Sequence, residues 1–111
     1  MYAFKKNDSS EIYNLLEVRG LEIILADLEA EAKVIQLEFE LGEVEASLQK
    51  QILEVNELIE DIYAKFIEYR KAEDLTKLIV LSDIEICVNE LKNQISKIRE
   101  KSVNDYNILY C

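Results

Sequence analysis

The sequence predicts an all-α protein: an elongated helical hairpin or bundle with coiled-coil character. One long central helix is flanked by a short N-terminal helix and by a C-terminal helix packed antiparallel to it. Three observations predict this class. Proline is absent and glycine occurs twice, at Gly20 and Gly42, in 111 residues, which is too few turn residues for a sandwich or barrel. Half of the residues are apolar, and the chain is rich in Leu, Ile, Glu and Lys, a helical composition. Apolar side chains also recur at alternating steps of four and three, most regularly at Leu48, Ile52, Val55, Ile59, Ile62, Phe66 and Tyr69. That spacing is the seam of a helix packed along its length.

The length fits a single domain, residues 1–111. Residues 1–8 read as an arm. Asp8 and Glu11 resemble a capping box that opens a short helix over 9–19. Gly20 suits the C-terminus of that helix, with Leu21 placed for the apolar contact that often follows. No further stop is evident until about Ala72, so residues 21–72 are assigned to one long helix. A break is expected over 70–81. Ser82 to Glu85 ("SDIE") then form a capping box, with Leu81 and Ile86 as its hydrophobic staple. A C-terminal helix follows over 82–102 with its own seam, Leu81, Ile84, Val88, Leu91, Ile95 and Ile98. A short connector makes neighbouring helices antiparallel, so this seam is expected to close on Leu48–Tyr69. The apolar tail, 103–111, is expected to dock.

The first half of the long helix carries two apolar stripes. One runs through Ala30, Val34, Leu37, Leu41 and Val44; the other runs through Leu21, Leu25, Leu28, Ala32, Ile35 and Phe39. A helix with two such stripes packs between two neighbours. The segment "IQLEFELGEVE" also alternates with period two, so a β-hairpin is the competing local structure. Gly42 could turn the chain, but no proline, Asn, Asp or good N-cap stands beside it, which favours a continuous helix. Unbroken, the stripe from Ala30 to Val44 has no full-length partner within the chain. A homodimer is then expected to cover it.

The net charge is −10 and is unevenly placed. Residues 20–62 hold twelve acids and two bases, which accounts for all of it; the rest holds eleven of each sign. Glu29, Glu31, Glu38, Glu40, Glu43 and Glu45 are the candidate acidic face, a solvated surface or one that engages a basic protein. Direct nucleic-acid binding is disfavoured because no basic patch is present to neutralise phosphates. No secretory signal is visible, and the longest apolar runs, "IILA" and "LIVL", are far too short to span a membrane. These features predict a soluble cytoplasmic protein with free thiols at Cys87 and Cys111, and no membrane partner.

Histidine is absent, which removes the commonest general base and the commonest transition-metal ligand. Glu40 and Glu43, then Glu57, Glu60 and Asp61, place carboxylates at i, i+3 on helix faces. This spacing resembles the acidic pairs of MazG-type all-α nucleotide pyrophosphohydrolases, although Glu60 departs from the family's Asp. The resemblance implies Mg²⁺ held between carboxylates and phosphates. About three such pairs arise by chance in so acidic a segment, and three occur: 40/43, 54/57 and 57/60. Cys87 beside Val88 reads as a small buried hydrophobe, and Cys111 as a terminal thiol able to link chains adventitiously. Tyr63 and Ile67 read as core-edge packing, with a partner-binding role second.

No catalytic, cofactor-binding or metal-ligating residue is assigned. The leading functional expectation is a non-enzymatic protein–protein interaction or assembly module. Second comes a small acidic inhibitor or DNA mimic of phage or mobile-element type; third comes the Mg²⁺-dependent hydrolase. The seam register is testable. Ile59→Asp should cost several kcal/mol through an unpaired buried charge, whereas Glu57→Gln should stay within about half a kcal/mol. Urea denaturation of both variants checks this, and equal effects would remove the register.

Overall fold

A computed structural model describes the backbone of residues 2–110 and the side chains of residues 15–101. Among the described residues three helices make the fold: α1, Tyr2–Glu40; α2, Gln49–Lys71, preceded by a 3₁₀ turn at Ala46–Leu48; and α3, Asp74–Tyr110. No strand occurs among the described residues. The helices pack side by side into a body 67 × 23 × 17 Å. The all-α class and the elongated shape follow the sequence expectation.

The core is three seams meeting along one axis. The α1 seam is Leu21, Leu25, Leu28, Ala32 and Ile35. The α2 seam runs from Leu48 through Ile52, Val55, Ile59, Ile62 and Phe66 to Tyr69. The α3 seam is Val80, Leu81, Ile84, Val88, Leu91, Ile95 and Ile98. No polar or charged residue is buried among the described residues. Each large aliphatic side chain removed from water contributes about 1.5–3 kcal/mol. The alternation that raised a β-hairpin comes from two helical faces: Ile35 and Phe39 turn towards the core, Leu37 and Leu41 away from it. Residues 31–40 are helical throughout.

The helix boundaries differ from the sequence expectation in three places. The arm over 1–8 and the stop at Gly20 are absent: α1 runs from Tyr2 to Glu40, straight through Gly20. Gly20 keeps a negative φ, and a lone glycine weakens a helix by about 1 kcal/mol without ending it. The break over 70–81 contracts to Ala72 and Glu73. Ala72 is extended, at φ −78° and ψ 155°. The Lys77 amide donates to the Glu73 carbonyl at 2.8 Å, which starts α3 early. Val80 and Leu81 already lie in the seam, so the helix must begin before the Ser82 capping box, and Ser82 sits exposed within it. Lys77 Nζ lies 5.5 Å above the Tyr69 ring across this turn, a contact worth about 0.5–1 kcal/mol. The tail over 103–111 is helical up to Tyr110, and its docking lies outside the described side chains.

The third difference decides the architecture. The helix over 21–72 is broken at Gly42, whose φ is +79°. Two backbone hydrogen bonds close α1: the Glu43 amide donates to the Glu38 carbonyl at 2.8 Å, and the Gly42 amide donates to the Phe39 carbonyl at 3.0 Å. This pairing satisfies the last carbonyls of α1 and needs a left-handed residue at the glycine position, but no Pro or Asn. The chain then reverses. Val44 turns into the core, and the Leu48 amide donates to the Glu45 carbonyl at 3.0 Å to begin the 3₁₀ turn. The α1 seam therefore closes on α2 and α3 of its own chain.

The two glycines should respond oppositely to alanine. Gly20 has nothing within 4 Å of a built Cβ and sits in a helix interior, so Gly20→Ala should stabilise by about 0.5–1 kcal/mol. Gly42→Ala should destabilise by about 1–2 kcal/mol, because a Cβ is penalised in the left-handed region. Urea midpoints of both variants at one protein concentration check the pair.

Candidate interaction surface

α1 is built with two apolar faces, and the bundle uses only one. With about 100° between successive residues, the face opposite the Leu21–Ile35 seam carries Leu16, Ile23, Ala30, Val34, Leu37 and Leu41. These side chains are exposed: Leu16 by 65%, Ile23 by 58%, Val34 by 47%, Leu37 by 56% and Leu41 by 66%. Ala26 and Ala30 are exposed between them. Singly exposed apolar residues are ordinary, but a contiguous strip along one helix is seldom left in water.

The predicted oligomer stripe is thus redrawn. Ala30, Val34, Leu37 and Leu41 lie on the open face, but Val44 does not, because the turn at Gly42 carries it into the core at 6% exposure. The strip continues instead towards the N-terminus, to Ile23 and Leu16. The spacing of seven from Leu16 through Ile23 and Ala30 to Leu37 was the available signal. A second exposed apolar patch, Leu75, Leu78, Ile79 and Ile86, lies on the outer side of α3, where the sequence reading placed mostly connector.

The six candidate acids do not share one face. Glu29 flanks the α1 seam on one side, and Glu31 and Glu38 flank it on the other. Glu29 accepts a hydrogen bond from the Tyr63 hydroxyl at 3.2 Å and lies 3.9 Å from Lys33. Glu22, on the same side, meets Arg70 at 3.6 Å. On the opposite side the Arg99 guanidinium spans Glu31, at 3.5 Å, and Glu38, at 2.8 Å. Glu40 accepts from Gln36 at 3.3 Å, while Glu43 and Glu45 stand exposed in the turn, with Ser47 donating to Glu45 at 3.0 Å. The carboxylates nearest the core therefore act as flanking ties, from α1 to α2 on one side and from α1 to α3 on the other. Arg99 was not identifiable as their partner from sequence, since it lies 61 and 68 positions from the acids it meets.

Tyr63 is more than an edge residue. Partial burial first, and then the adjacent Glu29 carboxylate, hold its phenol pKa above the ordinary value. Burial first, then Glu17, raises Tyr69 likewise. Ile67 is half exposed on the outer side of α2. Cys87 is partly buried against the core, and burial is the largest influence raising its thiol pKa, with Lys65 opposing. That environment suits a packed side chain rather than a nucleophile. Cys111 lies outside the described residues.

The MazG-like acids are dispersed: Glu40 at the end of α1, Glu43 in the turn, and Glu57, Glu60 and Asp61 exposed on α2. Among the described residues no group of three or more acidic, cysteine or histidine side chains converges to hold a metal ion. No described helix is long and apolar enough to cross a membrane. Comparison of the chain with protein-family models, curated proteins and solved structures finds no match.

The Arg99 tie is about one-third exposed, which limits its worth. Arg99→Gln should cost about 0.5–1 kcal/mol in dilute buffer, and most of that difference should vanish in 1 M NaCl. Lys50→Gln, on the exposed side of α2, should cost no more than a few tenths in either buffer. Parallel thermal melts at both salt concentrations check this.

Proposed function

We propose that the chain is a non-enzymatic protein–protein interaction and assembly module whose docking surface is the outer face of α1. One observation carries the reading: α1 is apolar on two opposite faces, and its own bundle buries only the Leu21–Ile35 face. The second face offers anchors at helical spacing, Leu16, Ile23, Val34, Leu37 and Leu41, which is how one helix presents itself to another. The bundle supplies the rigidity. Packed through Leu21, Leu25, Leu28, Ala32 and Ile35 onto the apolar seams of α2 and α3, the docking helix is preorganised, so binding need not order it.

The acidic-inhibitor and DNA-mimic readings require a continuous row of available carboxylates. Glu31 and Glu38 are engaged by Arg99, and Glu29 by Tyr63 and Lys33, so the apolar face is the better-supported surface. The excess of carboxylates then serves solubility of a protein that exposes apolar residues. Such a module suits the cytoplasm, where a thiol such as Cys87 stays reduced.

A photo-crosslinking residue at Val34 tests the surface. Irradiation of cells producing this variant should yield a defined adduct, with this chain or another, identifiable by mass spectrometry. The same probe at Asn89, exposed on α3, should yield none. No adduct from Val34, or equal adducts from both, would remove the reading.

A further inference from the structure

We draw no further inference here: the strongest candidate, the exposed apolar strip along the outer face of α1 from Leu16 to Leu41, belongs to the docking surface already described, and nothing in the structure shows what covers it.

Discussion

Everything in this fold depends on the backbone of Gly42. A φ of +79° at that residue lets two amide-to-carbonyl hydrogen bonds seal the end of α1 and sends the chain back along itself. Had α1 continued, its Leu21–Ile35 seam would have run past the end of any intramolecular partner. With the turn in place, three seams of matching spacing come together, and the core contains only apolar side chains among the described residues. The turn therefore selects which of the two α1 faces is buried and which is left open.

A core made mostly of leucine, isoleucine and valine is strong but poorly directional, since such residues tolerate sliding and repacking. Direction is supplied at the edges. Tyr63 and Arg70 meet Glu29 and Glu22 where α2 lies against α1, and Arg99 meets Glu31 and Glu38 where α3 does. Each tie is modest because it is partly solvated. Their shared effect is on alignment: an axial slip of either pair of helices would separate them. The acids that give the chain its charge thus serve in part as internal register marks.

Much of the fold was legible in the sequence, and the failures have identifiable causes. The α2 and α3 seams could be read residue by residue, because Leu48 to Tyr69 and Leu81 to Ile98 keep helical spacing without interruption. Both α1 stripes could be read as well. Which of them is buried could not, since each has the spacing of a packed face, and the choice is made by a turn whose only sequence mark is one glycine. Gly20 carries that same mark and sits within a helix, so glycine alone does not distinguish a cap from a tolerated interior residue. The Ser82 capping box was a real local pattern overridden by Val80 and Leu81 packing ahead of it. On the open face Ala30, Val34, Leu37 and Leu41 were legible, whereas Leu16 and Ile23 were missed because the stripe was not followed towards the N-terminus, and Val44 was misplaced because it lies beyond the turn. The Arg99 tie was not legible, because nothing local links it to acids more than 60 positions away.

The central claim is that the chain folds back at Gly42, which buries one α1 face and opens the other. Electron spin–spin distance measurement tests it most directly. Spin labels at Asp27 and Glu68 would be placed in a chain with Cys87 and Cys111 replaced by serine, diluted with unlabelled protein so that only distances within one chain contribute. Adjacent packed helices have axes about 8–10 Å apart, so with label arms the distribution should centre near 20–25 Å. A continuous helix through Gly42 would separate the two positions by about 60 Å, and a distribution centred there would contradict the account.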